Sequence, residues 1–193
     1  MPTQNVYIAI TAGFLLSYGF ALSSLFMPQW VQYKSPAPVN TVVDHGLWQK
    51  CSTLTGDCRR FPQRSWGDCD HDEGRKSVNL CLEWRIADVT AVLSALVGLW
   101  VLAGLSTVFY TGERFRQQGW KHILGLIGLY AALQVATMGL IAHVKHESSM
   151  FAYGTGYGVA FILSNVSWTF GALLAASVMG YARYAGGYIA LQD

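Results

Sequence analysis

Charge is what this chain of 193 residues has least of. Lys, Arg, Asp and Glu together make up 12% of it, about half the usual share. Four stretches carry none at all: 6–26, 89–110, 123–142 and 154–182. Each is about 20 residues or longer, enough for a helix to cross roughly 30 Å of hydrocarbon. Buried helices of soluble domains rarely stay uncharged for so long, so a single soluble domain is excluded. The net charge of +2 is too small to argue for nucleic acid. No Gly-rich phosphate loop and no basic stretch with interleaved aromatics is present. Paired carboxylates and His–Cys or His–Ser arrangements are missing too, and the histidines scatter at His45, His71, His122, His143 and His146. An enzyme is therefore not expected, nor a cofactor, nor a small-molecule substrate.

Cysteine is missing from all four apolar stretches. The polar loop 30–85 holds all 4 cysteines, with 8 of the 13 Lys/Arg and 7 of the 11 Asp/Glu. The layout predicts one tetraspan domain over 1–193. Helices are expected at 6–28, 86–110, 122–144 and 156–182, joined by the loop 30–85, a basic link 111–121 and a short loop 145–154, with a tail 183–193. The first apolar run is too long for a cleaved signal peptide and is expected to stay as a helix. Pro28 ends that helix, and Trp30 sits where an interfacial aromatic belongs. Ala9, Gly13 and Ser17 on the first helix, and Ser164, Ser167, Gly171 and Ala175 on the fourth, are spaced for close helix approach. Asp88 is expected in the first turn of the second helix, where a carboxylate suits the dipole.

Within the loop, Pro36 and Pro38 bound an irregular piece. Strands are expected at about 43–53 and 58–61, paired across a Thr55-Gly56 turn. The stretch 62–79 gives no assignment. Four cysteines allow three pairings. The turn brings Cys51 and Cys58 onto one hairpin, which leaves Cys69 with Cys81. The rival is a metal site built from the same cysteines with His45 or His71. No C-x-x-C spacing supports it, so no metal is expected.

Four spans put both termini on one side. Of the short links, the second carries three Lys/Arg (Arg114, Arg116, Lys121) and the third one, which places the second link and the termini in the cytoplasm. Cysteines confined to one polar loop fit an oxidising compartment, so the loop is expected outside. No cysteine lies near the cytoplasmic helix ends to take palmitate. Asn165-Val166-Ser167 fits the glycosylation pattern but falls mid-helix and is read as unused. Gln134 and Asn165 fall near the middles of their helices. Each costs free energy in lipid unless paired, so both are expected to face the bundle interior, near each other or near serines. His143 and His146, one turn apart, read as interfacial.

The spacing Trp30, Gly46-Leu47-Trp48, Cys51, Cys58, set between a first and a second membrane helix, resembles the signature of the claudin superfamily. That group includes claudins, peripheral myelin and epithelial membrane proteins, the lens fibre membrane protein, and γ-type auxiliary subunits of channels and receptors. Gln29-Trp30-Val31-Gln32-Tyr33 with His45-Gly46-Leu47-Trp48 is most similar to the lens and epithelial branch. Arg85 matches the family's basic residue at the start of the second helix. His146, Tyr153-Gly154, Phe161-Ile162-Leu163 and Ser167-Trp168 resemble the entry to the fourth helix in the myelin and epithelial branch. The likeness covers the whole chain in layout and is specific in residues only at these places.

The resemblance implies a left-handed four-helix transmembrane bundle carrying a small extracellular antiparallel sheet. Trp30 and Trp48 would seat the sheet on the bundle, Gly46 would let the backbone pass a helix end, and Arg85 would hydrogen-bond loop carbonyls beneath the sheet. It also implies a plasma-membrane protein that organises cell–cell contacts or a paracellular barrier. The alternative is an auxiliary subunit bound to a channel or receptor. Partners would be membrane lipids and other membrane proteins. In a pore-forming member, Arg59, with Arg60 and Arg64 nearby, would face the partner or pore, although Asp68, Asp70 and Asp72 crowd the same loop. Departures from claudins are the short Cys51–Cys58 gap, the two further cysteines, the short third link and Asp193 in place of a hydrophobic final residue.

Overall fold

The computed structural model describes residues 4–36, 41–69, 79–110, 113–151 and 154–189. Pro38, Asp70, His71, Asp72, Tyr153 and Asp193 lie outside them. Four helices form the body: α1 (Gln4–Phe26), α2 (Leu80–Tyr110), α3 (Glu113–Glu147) and α4 (Val159–Ile189). Each contains a run long and apolar enough to cross a membrane: Tyr7–Phe26, Leu80–Thr107, Trp120–Glu147 and Val159–Gly180. They fit a helical multi-pass membrane protein carrying a small antiparallel sheet.

The helices begin and end away from the expected boundaries, for one physical reason. A charge-free run marks the part that suits hydrocarbon, whereas a helix continues until something stops it. Helix α2 starts at Leu80 rather than residue 86, because the Asn79 side chain caps it by accepting the Leu82 N–H at 3.2 Å. Asp88 therefore sits two turns in, not in the first turn. Helix α3 takes in most of the expected basic link, running from Glu113 rather than 122. Helix α4 starts at Val159, because the preceding residues are drawn into the sheet.

That sheet has five strands: β1 (Val31–Lys34), β2 (Val42–His45), β3 (Gln49–Ser52), β4 (Cys58–Arg60) and β5 (Thr155–Tyr157). Their spatial order is β4-β3-β2-β1-β5, antiparallel throughout. The single strand expected over 43–53 is two, broken at Gly46-Leu47-Trp48. A Cβ on Gly46 would lie 2.7 Å from the Pro28 Cα and 3.1 Å from the Gln49 carbonyl oxygen. Glycine alone lets the chain turn here, against the end of α1. The β3–β4 hairpin forms as expected, with Gly56 at φ 70° in its turn and Cys51 opposite Cys58. Strands β1 and β5 are additions that the sequence pattern did not signal.

Two apolar clusters fill the molecule. One joins sheet to helix ends through Trp30, Leu47, Phe61, Trp84 and Phe151. The other runs between the helices around Phe14, Tyr18, Val101 and Tyr130. Gly13, Ser17, Ser167 and Gly171 let α1 and α4 approach. The hydroxyl of Ser17 donates to the Ser167 carbonyl at 2.9 Å, that of Ser167 donates to the Ser17 carbonyl at 2.8 Å, and Tyr130 of α3 meets Ser167 at 2.9 Å. Ala9 of the same small-residue series is exposed.

Candidate functional site

The motif residues fasten the sheet to the helices through three indoles. Trp30 is buried with 1% exposure, and its Nε1–H donates to the Ser24 carbonyl in the last turn of α1 at 2.9 Å. Its ring stands edge-on to Phe161 of α4, 6.3 Å away. Trp84 is fully buried and donates from Nε1 to the Leu47 carbonyl at 3.2 Å. Trp48 turns outward over Phe26, and its Nε1–H donates to the Asp88 carboxylate. Each indole joins an apolar body to a polar tip, which suits a layer where helix ends give way to sheet.

Trp30 is closed over by the β1–β5 pairing and α4 at the junction of helix ends and sheet. One expectation changes here. Arg85 makes no hydrogen bond to a loop carbonyl among the described residues. Helix α2 turns about 100° per residue, so with Trp84 facing inward Arg85 faces outward and is exposed. The role expected of Arg85 belongs to Trp84. Only position could have hinted at this, since Trp84 continues the apolar series that Leu80 opens and Ala87 and Ala91 extend.

Both disulfides form, Cys51–Cys58 and Cys69–Cys81. All four sulfurs are thereby joined in pairs and are not available as thiolate ligands. The first bridge ties β3 to β4, and the second ties the end of the polar loop to the first turn of α2.

Beside the second bridge, Asp68 is 3% exposed and holds Arg59 in a two-pronged ion pair, at 2.6 and 2.7 Å. The Gln63 N–H adds a third bond to the same carboxylate at 3.1 Å. Burial alone would raise the Asp68 carboxyl, but these bonds and the Arg59 and Lys50 charges hold it below its ordinary value. The Arg59 guanidinium is raised in turn, chiefly by its bonds to Asp68, and lies 5.2 Å from the Trp66 ring centre. Of the three arginines expected to face a partner or pore, Arg59 is therefore spent inside the loop, while Arg60 and Arg64 are exposed. Nothing local in the sequence links an arginine to an aspartate nine residues on.

Behind the sheet, His45 is buried between Phe61 and Phe151, each ring 5.2 Å away and edge-on. Burial, and next the Lys50 charge facing it across the β2–β3 pair, lower its pKa to about 3. It is neutral at ordinary pH.

The intramembrane polar residues part company. Gln134 is buried at 4% exposure and lines a small space with Ser94, Thr137 and Ser164. Asn165 is half-buried and bonds within α4, donating to the Phe161 carbonyl and accepting from the Trp168 indole, both at 3.3 Å. No hydrogen bond joins Asn165 to Gln134 among the described residues. His143 and His146 are exposed, with His143 3.9 Å from the Glu83 carboxylate of α2.

What the arrangement offers is a stiff, doubly bridged platform. Leu54 at the β3–β4 tip is 72% exposed and Trp66 67%, flanked by Arg60 and Arg64. No protein-family model matches the chain, and no curated protein matches it.

Proposed function

We propose that this is a claudin-like structural membrane protein whose sheet, lying outside the cell, organises cell–cell contacts or a paracellular barrier. In this reading the bundle is left-handed, both termini are cytoplasmic, and the protein resides in the plasma membrane. The observation that carries it is the platform: the Cys51–Cys58 bridge and the Arg59–Asp68 pair hold Leu54 and Trp66 outward with their apolar surface exposed. Exposed aromatic and aliphatic side chains on a rigid support suit protein recognition. The test is expression in an epithelial line that forms tight monolayers. Enrichment at cell borders and changed transepithelial resistance are expected, both lost in a Leu54→Asp/Trp66→Asp variant that still reaches the surface. Even distribution and unchanged resistance would sink it.

One observation favours a second reading, an auxiliary subunit of a channel or receptor. The short loop after α3 is spent on a 3-10 turn (Ser149–Phe151) and on β5, which leaves little chain to reach a neighbouring cell. Purification in mild detergent separates the readings. A stoichiometric channel favours the second, and self-association alone the first.

A further inference from the structure

Under the β4 edge of the sheet lies an open cleft of about 840 Å³, within the range of ordinary ligand sites. Its walls come from two different environments. Phe26 ends α1, and Arg85 and Val89 come from α2, so this wall belongs to the membrane-crossing runs. Trp48, Arg60 and Pro62 supply the other wall from the sheet and its loop. The cleft thus straddles the level where apolar spans give way to polar chain.

Charge within it is unevenly matched. Arg59 reaches the cleft, but Asp68 already cancels its charge. Arg60 and Arg85 are exposed, and neither side chain makes an ion pair or hydrogen bond among the described residues. The lining carries one carboxylate, Asp88, which accepts the Trp48 indole and lies close enough to feel the Arg85 charge. Two guanidiniums therefore face one partly engaged carboxylate. Below them, Phe26 and Val89 expose 67% and 56% of their surface.

We propose that the cleft binds a membrane phospholipid. Arg60 and Arg85 hold the phosphodiester, and the first acyl carbons lie against Phe26, Trp48 and Val89. Guanidinium geometry matches phosphate oxygens in pairs. An arginine within two turns of a span's end extends its head toward the phosphate level while its stem stays on apolar surface. A partner helix fits the cleft less well, because its apolar face would strip water from both guanidiniums without replacing the lost bonds. A lipid phosphate supplies those bonds.

Native mass spectrometry of the detergent-purified protein, titrated with phosphatidylglycerol, tests the site. Removing two charge-assisted contacts in Arg60→Gln/Arg85→Gln should weaken binding by about tenfold or more. Diacylglycerol with the same chains should bind wild type no better than the double variant binds phosphatidylglycerol. Full affinity in a double variant that melts like wild type overturns the proposal, as does equal binding of diacylglycerol. A second measurement needs no variant. Phosphatidylglycerol carrying a photoreactive group near its carbonyl should label peptides containing Phe26 and Val89, and excess unlabelled lipid should compete. Labelling only around the outward-facing Trp100, or a copurifying protein that fills the cleft and blocks the label, overturns it.

Discussion

The Trp84 indole, on the first turns of α2, donates its one N–H to the Leu47 carbonyl at the middle of the turn between β2 and β3, 3.2 Å away. Both residues are buried. This bond links a membrane helix to the motif turn.

Replacement of Trp84 by Phe keeps much of the ring but leaves the Leu47 carbonyl without a donor. The expected cost is about 1–3 kcal/mol, read as a lower melting temperature in detergent. Trp84→Ala adds a cavity, and about 3–5 kcal/mol is expected. If Trp84→Phe melts like wild type, the bond does not hold the sheet down.

Arg59 and Asp68 should behave as one unit. Arg59→Ala leaves a carboxylate of 3% exposure without its counter-charge, and about 2–4 kcal/mol is expected. Asp68→Asn should cost less, and the double variant less than the two singles added. Purely additive losses in a double-mutant cycle would mean the pair is not coupled. Arg60→Glu, exposed and unpaired, should change stability by less than about 0.5 kcal/mol.

Acid should loosen the sheet before it affects the helices. The unfolded His45 imidazole takes up its proton near pH 6.5, the folded one only near 3. The unfolded state therefore binds more protons between those values, and stability is complete above pH 6.5 and lost as pH falls toward 3. The full effect is on the order of 5 kcal/mol. Lys50 and Arg59 strengthen it by repelling the imidazolium, while Asp68 opposes it. Asp68, depressed in the folded state, adds a loss below the ordinary carboxylate range. Melting temperature followed from pH 7 to 4 should fall for wild type and stay flatter in His45→Phe, whose ring suits the aromatic surroundings. Parallel curves would rule out His45 as the source.

Gly46 should tolerate no side chain. Its missing Cβ faces the Pro28 backbone at 2.7 Å, and backbone cannot rotate aside as a flexible side chain can. Gly46→Ala is expected to cost about 1–3 kcal/mol through forced backbone shifts, with loss of protection in β2 and β3 by hydrogen exchange. Gly56→Ala, strained by its φ of 70° but open to space, should cost about 1 kcal/mol.

The four spans were legible because hydrocarbon punishes charge so heavily that charge-free runs of about 20 residues mark them directly. The Cys51–Cys58 hairpin was legible because a Thr-Gly turn is a local signal. Other features left no local trace. Strand β5 is Thr-Gly-Tyr, too short and too glycine-rich to announce itself, and it exists because β1 offers it an edge. Arg85 and Trp84 differ by one residue, and only the docked helix decides which of them faces in. Asn165 and Gln134 look alike as mid-span amides, yet one finds its partners on its own helix and the other is buried against neighbours.

By itself, then, the sequence determined where the chain can enter hydrocarbon and where cysteines can close a short loop, since both depend on residues near one another in the chain. The tertiary structure decided which arginine keeps its charge for the surface, which tryptophan holds the motif turn, and that the short loop after α3 joins the sheet. Those outcomes depend on contacts between residues dozens of positions apart, and packing forms such contacts without leaving a pattern in either segment.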